Sequence, residues 1–501
     1  VPKNIGQAQQ ADLWSAFFVG HIPRPYHRDK TMTATSETRK IATPARPPWR
    51  RELNAMSRLA WPIVLTQLAW VGMLTTDTAM IGRLGTLHLA GASLSLMIFF
   101  LAYVICFGVV TATASLASQA YGARQPRRVR RIIRQGWWVT LALTMPMLVL
   151  LAFTPEILLL MGQPPQTLPH AEAYISTLMW SLPLATAFTV LRNFVSALGR
   201  PRPALWVMLS GLPLNALLDY GLIYGNFGLP RLELVGAGLA TSIINFVMFS
   251  ALLAIVLFRK PFSRYAILGR FWRSDWAQFR QIIRIGLPIA GNHLMIAGFF
   301  IGAVFVMGAF GTEAIAAHTI AIQLPHISIM IPMGLSQAAT VRVGHAVGRR
   351  NVEAAYRAGS VATAIAVCFM TVMSVVVILV PEVFIKIFID ANRSESSAVM
   401  DLAVSFLFLA AFFQIADGIQ EVMSGALRGL NDTVVPMYIS GISYWGIGLA
   451  TGIWLAFSYD LTGVGLWLGF VFGLSCAAIL LGWRFCRFFK RQYLPSIQTP
   501  T

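Results

Sequence analysis

"MIGRLGTLHLAGASLSL" (residues 80–96) returns later in the chain as "VMGAFGTEAIAAHTIAI" (residues 306–322), with Gly82 opposite Gly308, Gly85 opposite Gly311 and Thr86 opposite Thr312. The same offset of 226 residues sets Pro62 of "LAWP" against Pro288 of "RIGLP" and Gly122 of "SQAYGARQ" against Gly348 of "VGHAVGRR". A further match, "SALGRPRP" with "GALRGLNDTVVP", needs a small gap. One structural unit is therefore used twice.

That unit is a set of membrane helices. Of the 501 residues, 56% are hydrophobic and only 12% charged, and the mean hydropathy is +0.65. This balance excludes a soluble globular chain. Twelve apolar runs, near 57–80, 90–118, 137–160, 172–197, 204–225, 234–258, 280–307, 315–341, 360–382, 401–427, 433–457 and 463–487, are long enough to cross a bilayer core of about 30 Å. The expected fold is an all-α polytopic membrane protein with twelve transmembrane helices in two pseudo-symmetric six-helix bundles. The expected division is a polar, basic, disordered cytoplasmic tail over 1–50, lobes at 51–265 and 266–488, and a cytoplasmic C-terminal tail over 489–501. The chain opens with Val1, and Met32, which precedes "TATSETRK", is an alternative start.

The net charge of +19 would suggest nucleic acid in a soluble protein. Here the basic residues fall in connectors. "GARQPRRVRRIIRQG" after the second run has six arginines; Arg259, Lys260, Arg264, Arg270, Arg273 and Arg280 follow the sixth run, and Arg349, Arg350 and Arg357 the eighth. Connectors after the third, seventh and eleventh runs carry Glu156, Glu313 and Asp460 with almost no basic residues. The positive-inside rule then puts both termini in the cytoplasm and leaves no nucleic-acid surface. Because each half has an even number of spans, the repeats run parallel, and a cleft between them is the natural substrate site.

Three carboxylates resist placement in tails or connectors: Asp77, Asp219 and Asp417. An ionised Asp at the centre of a bilayer helix costs roughly 2.5–3.5 kcal/mol on insertion scales, so its retention points to use. In "GLPLNALLDYGLIYG", Asn215 and Asp219 stand four residues apart on one helix face. With Asp77 and the Thr241 hydroxyl they would line an oxygen-rich pocket able to hold a proton or a hard cation such as Na⁺. The residue 226 positions after Asp77 is Ala303, so only one half carries this carboxylate. Glu421 lies a turn beyond Asp417. His293 and His318 are expected to hydrogen-bond between helices. The aromatic and Met-rich runs are expected to be core or lipid-facing, and Pro62 and Pro288 to be either bends or N-terminal prolines. Cys106, Cys368, Cys476 and Cys486 have no metal-ligand spacing and are read as packing residues.

"TTDTAMIGRLG", "LNALLDYGLIYGNFG", "GLPIAGNHLM" and "FQIADGIQEVMSGALRGLNDT", set in two times six spans over residues 50–490, resemble the multidrug and toxic compound extrusion (MATE) family, NorM-like branch. The resemblance implies a V-shaped antiporter of the bacterial cytoplasmic membrane, working without a cofactor and as a monomer among the membrane lipids. It would expel cationic or amphiphilic compounds as H⁺ or Na⁺ enters. It places the family's first-half cation site on Asp77, Asn215, Asp219 and Thr241, and a second-half site on Asp417. The glutamate expected in the seventh span is replaced by Ile296, and the tyrosine expected a turn before Asp417 by Phe413. Coupling through the first half follows, with Asp417 in a lesser role and Na⁺ a weaker candidate than H⁺. A lipid flippase of the same superfamily would need a more basic cavity than Arg192 alone supplies. An intramembrane enzyme would need H-E-x-x-H, G-x-S-x-G or clustered catalytic groups, which are absent from the sequence, so no enzymatic activity is expected.

Overall fold

The computed structural model describes residues 49–497 apart from 270, 274 and 387–395; the N-terminal tail over 1–48 lies outside them. All the described secondary structure is helical. The spanning helices are α1 (Trp49–Gly82), α2 (Thr86–Gly122), α3 (Pro126–Ala152), α4 (Pro165–Leu178 with Ser181–Ala197), α5 (Arg202–Tyr224), α6 (Glu233–Phe258), α7 (Trp276–Gly308), α8 (Thr312–Gly348), α9 (Val352–Leu379), α10 (Val399–Gly429), α11 (Val434–Ser458) and α12 (Thr462–Phe489). Helices dominate because lipid offers no partner for a free peptide group, and a helix satisfies its own.

Two expected boundaries move. The third span stops at Ala152, and "TPEILLL" forms a separate short helix, Thr154–Leu160. The fourth is bent by 41°. Pro183 is the cause: it has no N–H for the Met179 carbonyl, which takes the Leu182 N–H instead at 3.1 Å. Pro62 and Pro288 lie inside α1 and α7, so they are interior prolines and not N-terminal ones. At the C-terminus the last helix continues to Ile497.

The repeat survives in backbone detail. Gly85 and Gly311, which open α2 and α8, have φ of 130° and 98°, and Arg124 and Arg350, just past the ends of those helices, both have φ of 57°. A side chain at Gly85 or Gly311 would strain the hairpin, which explains why glycine stands at both.

Packing exchanges one helix end between the halves. Met56, Leu59 and Ile63 of α1 pack into a core made of second-half residues such as Leu335, Ala362 and Phe485. Their repeat partners on α7, Ile282, Ile285 and Ile289, pack into a core of first-half residues such as Val109, Val190 and Phe194. Small residues permit these crossings: a Cβ on Gly108 would meet Ala290, and one on Gly334 would meet Val64, again at the repeat offset.

Polar contacts join the halves beside the basic connectors. Gln119 Nε2 donates to the Gly429 carbonyl and accepts at Oε1 from Asn431 Nδ2, both at 2.8 Å. His345 Nε2 donates to the Ala197 carbonyl at 2.6 Å, and Arg342 grips Glu52 with both Nε and Nη2. The structure is thus held shut between halves at its basic end.

Candidate functional site

Four side chains named from the sequence meet in the first half. Asp77 comes from α1, Asn215 and Asp219 from α5, and Thr241 from α6. Asn215 Nδ2 donates both its hydrogens to carboxylates, to Asp77 Oδ1 at 2.5 Å and to Asp219 Oδ2 at 2.8 Å. Thr241 Oγ1 donates toward Asp77 Oδ2 at 3.5 Å and is shared with the Ala237 carbonyl at 3.1 Å. One amide therefore bridges two acids. The i, i+4 spacing on α5 makes this possible, since it stacks Asn215 directly beneath Asp219.

The site is buried and uncompensated. Asn215 and Asp219 are fully buried and Asp77 is 7% exposed. No Lys, Arg or His pairs with either carboxylate among the described residues, although ion pairs occur elsewhere in the chain. Asn215 Oδ1 and Asp219 Oδ1 are buried and without a hydrogen-bond partner. Two negative groups side by side in a low-dielectric interior demand a positive one. A proton or a hard monovalent cation fits the orphaned oxygens. A transition metal does not, because no cluster of three or more His, Cys, Asp and Glu forms among the described residues.

Tyr224 completes the geometry and was not singled out from the sequence. Its hydroxyl donates to the Met80 carbonyl at 2.8 Å, pinning α1 to α5 one turn beyond Asp77. The signal lay in the quoted run "LDYGLIYG", but nothing there says that a Tyr five residues after Asp219 reaches another helix.

The second half is built differently. Ala303, opposite Asp77 in the repeat, is fully buried in an apolar cluster with Phe299, Phe406, Phe413, Trp467 and Phe470. Phe413 rests against Trp467 and Phe470 with ring centroids 5.7 and 6.1 Å away, and Ile296 packs against the same cluster. This part of the second half is filled by rings. Asp417 is half-buried with no hydrogen bond or ion pair among the described residues, and Glu421 is held by Arg428 Nη2 at 3.1 Å. His318 and His293 depart from expectation: instead of bridging helices by hydrogen bonds, each leaves Nδ1 buried and unpartnered. His318 packs edge-on against Trp467 and His293 lies against Phe107. Among the described residues His345 does bridge helices, to the Ala197 carbonyl, and His88 on α2 reaches Glu233 on α6 at 3.4 Å.

The MatE family profile matches residues 62–221 and 288–454, so its two segments begin at the repeat-paired prolines. A probable multidrug resistance protein NorM of Mesorhizobium japonicum is 43% identical over 418 residues, covering 83% of this chain and 90% of that protein. A multidrug resistance protein NorM of Burkholderia vietnamiensis is 36% identical over 427 residues, with 85% and 91% covered. Among solved structures, the eukaryotic MATE transporter AtDTX14 superposes with a TM-score of 0.77 at 23% identity, over 90% of this chain and 97% of that one. The Vibrio cholerae MATE transporter VcmN in its bent form gives 0.79 at 18% identity, over 89% and 99%.

Proposed function

Because the chain belongs to the MatE family, we propose that it is a multidrug efflux antiporter, exporting cationic or amphiphilic compounds in exchange for H⁺ or Na⁺ through the site at Asp77, Asn215, Asp219 and Thr241. One observation carries the coupling: two buried carboxylates share a single amide, with no basic side chain to neutralise them. A site of this kind has two states of very different energy, occupied and empty. That difference is what an ion gradient can use to drive a conformational change.

In the proposed cycle the ion-free carboxylates favour the state that takes drug from the cytoplasm or inner leaflet. Facing outward, they bind H⁺ or Na⁺, the helices around them repack, and the drug leaves. The loaded carrier then returns. The halves 51–265 and 266–488 act as the two moving lobes, in a bacterial cytoplasmic membrane and with the basic connectors on the cytoplasmic side. The chain works as a monomer, and its chemistry is transport, with no bond made or broken in the cargo.

Reconstituted in liposomes, the purified chain should move ethidium against its gradient when a pH or Na⁺ gradient is imposed, and the effective gradient names the ion. Absence of flux under either gradient would turn the reading toward a lipid or lipid-oligosaccharide cargo.

A further inference from the structure

The arginines that open α3 differ from what stands at the matching place in the second half. Arg127, Arg128 and Arg131 lie 226 residues before Glu353, Ala354 and Arg357. Arg357 is buried and neutralised within its own helix by Glu353, at 3.2 Å. The first half has no acid at that register: Arg127 and Arg128 are exposed, and no acid pairs with either among the described residues. Arg131 reaches Asp275, just ahead of α7, at 3.6 Å, yet its side chain stays 55% exposed. With Gln278 of α7 the three arginines line a hollow of about 430 Å³. Gln278 Oε1 is buried and without a hydrogen-bond partner. Three guanidinium groups with one acid among them attract a phosphate, and the unpartnered amide oxygen accepts from a hydroxyl.

The surroundings say what the phosphate is attached to. Arg127, Arg131, Trp138, Met145 and Val149 follow one another along α3 at steps of four and seven residues, so they share one face. Met145 and Val149 are more than half exposed, which in a spanning helix means that they face acyl chains. The basic hollow and the lipid-facing stripe are thus continuous. The connector between α6 and α7 adds rings of the kind that settle at headgroup depth. Phe271 stacks on Trp138 with centroids 5.5 Å apart, and Trp138 Nε1 donates to the Phe271 carbonyl at 3.4 Å. Trp272 and Trp276, the latter two residues before Gln278, are 86% and 70% exposed. A soluble anion would use the arginines but leave the rings and the apolar stripe bare.

We propose that this hollow binds the headgroup of an anionic phospholipid such as phosphatidylglycerol, with its phosphate on Arg127, Arg128 and Arg131, a headgroup hydroxyl on Gln278 and its acyl chains along Trp138 and Met145. The lipid ties α3 of the first half to the start of α7, which begins the second half, and so stabilises the packing of those two helices at the basic end of the molecule. The repeat-related place at Arg357, already neutralised by Glu353, takes none.

The full chain, purified in detergent, is titrated with phosphatidylglycerol, phosphatidylcholine or glycerol 3-phosphate while its thermal midpoint is followed. Phosphatidylglycerol should raise the midpoint and the other two should not. R127Q/R128Q should need about tenfold more phosphatidylglycerol, as mole fraction in the micelles, for half the rise. R349Q/R350Q removes the same charge from the connector after α8 and should respond as wild type does. Arg127 and Arg128 are exposed and make no ion pair, so their loss breaks no contact of the fold; should the double variant still fail to fold, R128Q alone carries the test with a shift of about threefold. Phosphatidylcholine acting as well as phosphatidylglycerol, or the two double variants shifting alike, would reduce the effect to the general charge of this face and overturn the proposal. Glycerol 3-phosphate raising the midpoint as far as the lipid would assign the hollow to a soluble phosphate and overturn it too.

Discussion

Asp219→Asn stops gradient-driven ethidium flux, with a fall on the order of a hundredfold, the upper range of a site-to-site coupling free energy of about 3 kcal/mol. The substitution keeps the shape and still offers Asn215 Nδ2 an acceptor oxygen, but it removes the group proposed to exchange H⁺ or Na⁺. Asp77→Asn should do the same, since the two acids share one amide and act as a pair. Stability should move the other way. Each acid is buried without a counter-charge, so the amide relieves a desolvation cost, and the thermal midpoint of the detergent-solubilised variant should equal or exceed that of wild type. Flux and midpoint falling together would mean that the pair is structural glue. Flux that persists in both variants would move coupling to Asp417.

The second large effect is expected where the halves touch at their basic ends. A Cβ on Gly122 would run into the backbone of His345, and one on Gly348 into the backbone of Gln119, the same contact seen from each repeat. No rotamer change relieves a clash with a carbonyl. Gly122→Val and Gly348→Val should each force α2 and α8 apart, at a cost of about 1–3 kcal/mol against the closed arrangement. A state needed in every cycle is then depopulated, and flux should fall about tenfold or more in each variant. Gly482→Val is the control, because nothing lies within 4 Å of its added Cβ. Flux near wild type in both Gly122 and Gly348 variants would show that closure at this end is not part of transport.

The sequence was most legible where physics allows few alternatives. Apolar runs of span length have one solution in lipid, and the repeat set the twelve-helix plan before any contact was visible. The cluster at Asp77, Asn215, Asp219 and Thr241 could be read because intramembrane acids are costly and the i, i+4 pair declares a shared face. Ile296 and Phe413 are apolar in the sequence, and both pack into an apolar cluster. Other features depend on contacts that no pattern states. The bend in α4 needed the break at residues 178–181 as well as Pro183. The exchange of α1 and α7 ends between cores is invisible in two similar apolar segments. The surroundings of His318 and His293 are not stated by pattern, because an apolar helix can meet a histidine with rings as well as with acceptors. His345 went unremarked inside a quoted motif, since its partner is a backbone carbonyl on α4.

In the proposed cycle drug and ion compete through the first-half pair, and this competition can be read without vesicles. Saturating ethidium added to the purified chain at neutral pH in weakly buffered detergent should displace the coupling ion, seen as released H⁺ with a pH dye or as released radiolabelled Na⁺. Asp77→Asn and Asp219→Asn should bind ethidium and release neither. Ethidium binding with no ion displaced from wild type, or with the same displacement from both variants, would contradict the account.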